Sequence, residues 1–287
     1  MTHPPSGANL GGPSLTGDVG WPVGHSLSPR LHRHWLARHG LRGDYVALPV
    51  LDADLDEVVG ALPKAGFRGL NVTVPHKVAA LHIADEATAR AQGIGAANCL
   101  SFEDGRIRAD NTDGEGFLLS LRAGAPAWEP GAGPAAVLGA GGAARAVAWA
   151  LLEAGVPAVI LCNRTRATAE ALAEALGGSW GDRARVEDWV QAGNLVEDAA
   201  LVVNTTSLGM AGKPELRVPL DGLHGGQVVA DLVYAPLETR LLREARAAGA
   251  VAVDGLGMLL HQAVPAFERW WGVRPEVDEE TRAAVLG

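Results

Sequence analysis

The stretch Ala135–Gly155, AAVLGAGGAARAVAWALLEAG, constrains the fold more than any other. An apolar, β-prone run stops at a glycine turn, and a helical pattern opens directly after it. Gly139, Gly141 and Ala144 fit G-x-G-x-x-A at that junction. Gly139 permits a tight turn, Gly141 lets the backbone approach a pyrophosphate, and Ala144 permits close packing of helix on strand. Free N–H groups and the dipole at the helix start favour the negative charge. The plan repeats in AVILCNRTRATAEALAEALG. A whole strand–turn–helix–strand unit is therefore present, and the chain is expected to bind a dinucleotide there.

The second strand indicates which dinucleotide. NAD sites usually place Asp or Glu at its end, to bond the ribose hydroxyls. Here AVILC is followed by Asn163, Arg164, Thr165 and Arg166. No acid in that run repels a 2′-phosphate, and arginines are present to pair with one. The expected cofactor is NADP.

Strand and helix patterns alternate along the rest of the chain. TGDVGWPV, DYVALPV and RGLNVTV read as strands, separated by the helical stretches PRLHRHWLARH and DLDEVVGALPKAG. HKVAALHIA and DEATARAQGIG read as short helices, and AANCLSFEDGRIRAD as a hairpin around a Glu-Asp-Gly turn. ALVVNTTS, QVVADLVY and VAVDG read as further strands, and PLETRLLREARAAG and MLLHQAVPAFERWWG as helices. Alternation of this kind predicts an α/β fold with a parallel sheet covered on both faces. At 287 residues two domains are expected. MTHPPSGANLGGPSLT, residues 1–16, has no apolar core for a signal peptide and reads as a disordered tail.

Composition narrows the partners. The formal net charge is −9, which argues against a nucleic-acid-binding face but not against a small anionic ligand in a local pocket. Cys99 and Cys162 form no CxxC pair and no metal-type cluster; they suit a reducing cytoplasm and read as buried thiols. No metal and no membrane span are expected.

The first half carries a second set of polar residues. Only three of the 24 basic residues are lysines: Lys64, Lys77 and Lys213. Lys77 follows a strand-like run in GLNVTVPHKVAAL. Arginine keeps its proton, whereas lysine can give one up, so the choice suggests proton chemistry, beside the alternative of a solvated lysine at a helix start. GHSLSPR sets Ser26 and Ser28 just before Pro29. Ser28 suits an N-cap, and a helix start with two hydroxyls also suits a carboxylate. NVTVPHK adds Asn71 and Thr73, GAANCL adds Asn98, and ADNTDGEG adds Asn111, Thr112 and Asp113. Reduction of a ketone by hydride leaves an oxygen that must gain a proton. A lysine ammonium can supply it, and a nearby carboxylate favours the charged lysine.

Taken together, GHSLSP, NVTVPHK, GAANCL, NTDGEG, GAGGAARA, NRT, NTTSLGM, DLVYAPLET and GLGMLLHQA resemble the shikimate dehydrogenase family, in its order and at similar spacing. The resemblance implies an N-terminal α/β substrate domain, residues 17–112 with 257–287, and a doubly wound Rossmann-type NADP domain, residues 113–256. The C-terminal helices would pack back on the first domain. It implies that Lys77 and Asp113 are catalytic. Ser26, Ser28, Thr73 and Tyr234 would bind the substrate carboxylate, and Asn98 and Gln262, with the catalytic pair, the ring hydroxyls. Gly139, Ala140, Gly141, Gly142 and Ala143, with Asn163, Arg164 and Thr165, would hold the NADP phosphates, and Gly255 would approach the nicotinamide. The implied reaction is reduction of 3-dehydroshikimate to shikimate with NADPH, a step towards chorismate and the aromatic amino acids, by a cytoplasmic monomer or homodimer.

Two departures stand out: Thr168 lies where relatives often carry a second basic residue, for which Arg166 is a substitute, and Cys99 replaces a common threonine. The alternatives are a quinate/shikimate dehydrogenase of broader substrate or NAD use, and a non-catalytic NADP-binding regulatory protein. The second would be expected to lack Lys77 or Asp113. A folate-linked dehydrogenase is disfavoured by the Ser26, Ser28 and Asp113 pattern.

Overall fold

The structure, a computed structural model, describes residues 14–287. Residues 1–13 of the expected tail lie outside that range. The remaining three belong to the first strand, which starts at Ser14 rather than Thr16 and pairs Ser14 with Gly43. The chain divides into two units, one running to Thr112 and resuming at Gln262, the other covering Asp113–His261.

The first unit contains β1 (Ser14–Gly20), α1 (Ser28–Arg38), β2 (Gly43–Pro49), α2 (Leu55–Ala61), β3 (Phe67–Val72), α3 (Lys77–Ile83), β4 (Glu86–Ala87), α4 (Ala89–Ile94), β5 (Cys99–Glu103) and β6 (Arg106–Asp110). Its sheet runs β2-β1-β3-β5-β6-β4. β1 is parallel to β2 and β3, but β5 is antiparallel to β3 and β6, so this sheet is mixed rather than parallel. The cause is the hairpin, whose Asp104–Gly105 turn has φ of 52° and 74°. Those values suit a tight two-residue turn matched to strand twist. β3 stops at Val72, short of the expected Val74, which is exposed. DEATARAQGIG yields one two-residue strand and one helix, capped by the Thr88 hydroxyl on the Ala91 N–H.

One face of the sheet holds Val19, Leu70, Val72 and Leu100, packed with Leu55 and Val59 of α2. The other holds Tyr45 and Cys99, packed with Ala266 and Trp270. Gly69 and Gly43 are required on that face: a Cβ would overlap the Trp270 ring at the first and the Trp271 ring at the second.

The second unit contains α5 (Asp113–Gly124), β7 (Ala135–Leu138), α6 (Gly142–Glu153), β8 (Val159–Cys162), α7 (Arg166–Trp180), β9 (Ala184–Glu187), α8 (Ala192–Asp198), β10 (Leu201–Asn204), β11 (Val228–Asp231), α9 (Arg240–Ala247) and β12 (Val251–Val253). All six strands are parallel, in the order β12-β11-β10-β7-β8-β9. Counted within the unit this is the reverse-ordered 3-2-1-4-5-6 arrangement of the doubly wound dinucleotide-binding fold. The central strands are apolar because both faces are buried. β9 and α8 are absent from the sequence reading: ARVE is half exposed and only four residues long.

α10 (Leu256–Trp271) begins in the second unit and ends in the first, so the expected boundary at 257 falls one residue inside a helix. From Gln262 onward the chain packs on the first unit. α11 (Glu279–Leu286) lies on α1: Arg38 pairs with Asp278 at 2.7 Å, and Trp35 Nε1 donates to Thr281 Oγ1 at 3.4 Å.

Candidate active site

In the first unit the loops after β1 and β3 are laced together. Thr73 N–H donates to Val19 O at 2.9 Å and Trp21 N–H to Val74 O at 3.0 Å. A Cβ on Gly20 would overlap Thr73 Cγ2, so glycine there lets Thr73 sit close to the first loop. Ser28 is not the N-cap. It is the first residue of α1, after Leu27, and its N–H donates to Ser26 Oγ at 3.2 Å. The N-cap residue is Leu27, which makes no side-chain capping bond. Ser28 is buried, with its hydroxyl facing the Tyr45 phenol.

Asn98 is the hub of a buried network. Its Oδ1 accepts from Thr112 N–H at 2.7 Å, and its Nδ2 donates to Thr112 Oγ1 and Gln262 Oε1, each at 3.0 Å. Thr112 Oγ1 donates to Gln262 O at 2.8 Å. Asn98 and Gln262, 164 residues apart, are thereby brought together, with Thr112 as an organiser to which the sequence alone gave no role. Asn71 acts structurally: its Oδ1 accepts from Tyr45 and its Nδ2 donates to Asn98 O.

Asp110 anchors this network. It is buried and pairs with Arg90 at 3.0 Å and Arg269 at 2.9 Å, while also accepting from Thr88. Burial works against its charge, but Thr88, Arg90 and the Asn111 N–H hold it below the ordinary carboxylate range. Lys77 begins α3 and is half-buried. Its carbonyl accepts from Ala97 N–H at 2.8 Å, which ties the lysine's helix to the Asn98 segment. His76, before it, is buried with Nε2 on Val50 O at 2.8 Å.

Asp18 was not anticipated as a site residue. It is 3% exposed, and its Oδ1 is buried without a hydrogen-bond partner. Burial pushes its carboxyl up to about 6, only partly offset by the Ser26 hydroxyl that faces it. The signal in the sequence is an acid inside an apolar strand, TGDVG.

In the second unit the glycine turn lies at the switch point of the sheet, between β7 and β10. Gly139 has φ of 115°, and a Cβ there would overlap Thr205, whose N–H and hydroxyl both donate to Leu138 O. At Gly141 the opposite holds: no protein atom lies within 4 Å of the place a Cβ would take. Packing does not explain that glycine, whereas room for a phosphate on the start of α6 does. Gly142 and Ala143 open the helix, Ala140 is buried beside the turn, and Ala144 is fully buried in the core.

Beyond β8, Asn163 Nδ2 donates to Thr165 O at 2.9 Å and shapes the loop. Thr165 is the exposed N-cap residue of α7, without a side-chain capping bond. Arg164 is exposed. Arg166, the expected substitute for a base at 168, is already paired with Glu170 at 2.7 Å and Asp188 at 2.6 Å. Gly255 has a packing reason of its own, because a Cβ would overlap the Leu232 carbonyl. The residues thus fit a phosphorylated dinucleotide at the turn and the loop after β8.

Asp113, 3% exposed, is the first residue of α5 in this unit, and Tyr234 is half-buried in the segment after β11. That segment is pinned by a buried network: Asn204 Nδ2 donates to Asp231 Oδ1 at 2.9 Å, and Thr239 to Oδ2 at 2.7 Å. Burial nevertheless pushes Asp231 up to about 6. Among the described residues no cluster of three or more His, Cys, Asp or Glu is placed to hold a metal, and no helix is long and apolar enough to cross a membrane.

Residues 19–100 match the shikimate dehydrogenase substrate binding domain, 132–208 the shikimate/quinate 5-dehydrogenase domain, and 255–286 the shikimate 5′-dehydrogenase C-terminal domain. The chain is 62% identical to a shikimate dehydrogenase (NADP(+)) of Cereibacter sphaeroides over 95% of its own length and 96% of the relative's. It is 59% identical to that of Roseobacter denitrificans, covering 95% and 98%. Among solved structures, shikimate 5-dehydrogenase of Thermus thermophilus in complex with NADP(H) and shikimate superposes with a TM-score of 0.83 at 39% identity, covering 95% and 98%. Quinate dehydrogenase of Corynebacterium glutamicum in complex with NAD gives 0.87 at 32%, covering 96% and 99%. With its glycine turn, its Asn98 network and these likenesses over nearly its whole length, the chain belongs to the shikimate dehydrogenase family.

Proposed function

We propose that the protein catalyses the reversible, NADP-dependent interconversion of 3-dehydroshikimate and shikimate, on the route to chorismate and the aromatic amino acids. The observation that carries the reading is identity of about three residues in five, over 95% of the chain, to relatives that are NADP-dependent shikimate dehydrogenases. The first unit is the substrate domain and the second the NADP domain.

The chemistry follows from the residues. Ser26, Ser28 and Thr73, with Tyr234, bind the substrate carboxylate through hydroxyls, which donate without adding a charge. Asn98 and Gln262 orient the ring hydroxyls; their bonds to each other and to Thr112 hold the two amides in fixed orientation. Gly139 to Ala143 and the start of α6 take the pyrophosphate, and Asn163, Arg164 and Thr165 the 2′-phosphate. Gly255 keeps the backbone low beside the nicotinamide. NADPH, when bound, supplies the hydride. Lys77 donates a proton to the carbonyl oxygen as it becomes a hydroxyl and takes it back in reverse. Asp113 favours the charged lysine and holds a ring hydroxyl.

Strict use of NADP is favoured by Arg164, since a guanidinium binds a phosphate with paired, charge-assisted bonds. The NAD-bound quinate dehydrogenase shows that this scaffold also serves a second substrate and cofactor. The deciding experiment follows absorbance of the reduced nicotinamide with purified protein, shikimate or quinate, and NADP or NAD. Fast NADPH formation from shikimate supports the reading. Equal rates with NAD, or preference for quinate, would move the protein to the broader branch. No turnover despite NADP binding would remove the enzymatic reading.

A further inference from the structure

Asp18 has no place in the reaction above, yet it lies beside the groups assigned to the substrate carboxylate. It sits near the C-terminal end of β1, opposite Asn71 on β3 and Ala47 on β2. The Ser26 hydroxyl faces its carboxyl, and Tyr45, which feels its charge, faces Ser28. One carboxylate oxygen is buried with no partner.

Beyond the Ser26 hydroxyl and its own backbone N–H, the surroundings offer nothing to hold a negative charge. On β2 the neighbouring titratable group is the Tyr45 phenol, which burial keeps neutral. On β3 the Asn71 amide is committed to Tyr45 and Asn98. On α1, His32 stacks on Tyr45 at 4.0 Å and is fully buried, so its imidazole stays neutral, pushed down to about 3. On β5 the same face carries the Cys99 thiol, pushed up to about 12. No cation is among the groups acting on Asp18.

A carboxylate ligand seated on Ser26 and Ser28 would bring a second negative charge to this unscreened place. Two carboxylates sharing one site do not both remain ionised. Of the two, Asp18 is the one that burial already holds up to about 6, whereas the ligand's acid keeps an ordinary carboxyl strength and gains the serine hydroxyls. We propose that Asp18 is a positioning residue that is protonated in the substrate complex, so that shikimate binding takes up one proton. The neutral carboxyl then donates to Ser26 Oγ, and the serine's own hydrogen is left to point at the ligand. The inference rests on the assignment of Ser26 and Ser28 to a substrate carboxylate.

Linkage gives the expected size. With Asp18 ionised in the free protein and neutral in the complex, the dissociation constant of shikimate rises by up to about tenfold per pH unit above pH 7. The turnover number is not changed by this proton. The test is calorimetric titration of shikimate into the whole protein, in phosphate and in Tris, whose heats of ionisation differ. Uptake should approach one proton per shikimate at pH 7.5 and fall towards zero at pH 5. Asp18→Asn should abolish the uptake and flatten the rise in KM. Shikimate methyl ester, which lacks the charge, should bind the unaltered protein without uptake, and this arm needs no variant. Binding of shikimate without proton uptake at pH 7.5, or undiminished uptake in folded Asp18→Asn, overturns the inference alone. No binding of shikimate at any pH removes the substrate assignment, and this inference with it.

Discussion

The same buried carboxyl makes a prediction about stability that needs no ligand. In the unfolded chain Asp18 titrates near 3.8, and in the folded protein near 6, because burial disfavours its charge. Each pH unit of separation is worth about 1.36 kcal/mol, so the whole difference is about 3 kcal/mol. A carboxyl whose folded value is raised contributes stability that is fully present below 3.8 and lost as pH rises through about 6. Above pH 7 the folded protein carries the full cost of a buried charge that the Ser26 hydroxyl only partly offsets. Asp18→Asn removes the titration. The amide brings a constant offset of its own, so the informative quantity is the change with pH. From pH 4.5 to pH 8 the variant should gain roughly 2 kcal/mol on the parent, the remaining ~1 kcal/mol lying below pH 4.5. Urea unfolding at pH 4.5, 6 and 8, followed by fluorescence of Trp35 and the other tryptophans, measures it. Parallel pH profiles for the two proteins would refute the reasoning, since they would mean that Asp18 finds a partner or water that restores its ordinary titration.

Lys77→Ala should lower kcat by about 10²-fold or more while changing KM for shikimate little, because a proton donor acts mainly in the transition state; unchanged kcat would remove the lysine from the chemistry. Arg164→Ala should raise KM for NADP roughly 10-fold or more, the worth of a charge-assisted bond of about 1.5–3 kcal/mol, and leave NAD use unaltered; an equal loss for both cofactors would place the arginine elsewhere. Asp110→Ala leaves Arg90 and Arg269 facing each other without their acceptor. Their heads reach water, so the cost should lie near ~3 kcal/mol, at the low end for a broken buried pair. A urea midpoint within error of the parent would contradict it. Because Asp110 titrates below the ordinary range, the parent's advantage should also shrink as pH falls through the carboxylate region.

Much of this molecule was readable in one dimension. The second unit is nearly all local signal: each βα step carries its own apolar run, glycine or polar stop, and helix period, so β7, α6, β8 and α7 follow from neighbouring residues. Parallel order follows too, because strands joined by helices return in the same direction. The glycine turn is legible by residue type, and Lys77 stands out in the sequence as one of only three lysines. Tertiary structure decided what depends on residues distant in the chain. β propensity carries the strand pattern on to Val74, whereas the paired strand ends at Val72 and Val74 is exposed. Asn98, Thr112 and Gln262 form one network only because α10 returns to the first sheet. Ser28 is not a cap, because it lies inside α1 with its own side chain buried against Tyr45. Asp18 shows the limit most clearly. An acid inside an apolar strand is visible in the sequence, but its burial is decided only when neighbouring strands and α1 close over it. Solvation and electrostatics depend on the whole surrounding volume, and no local window of sequence contains it.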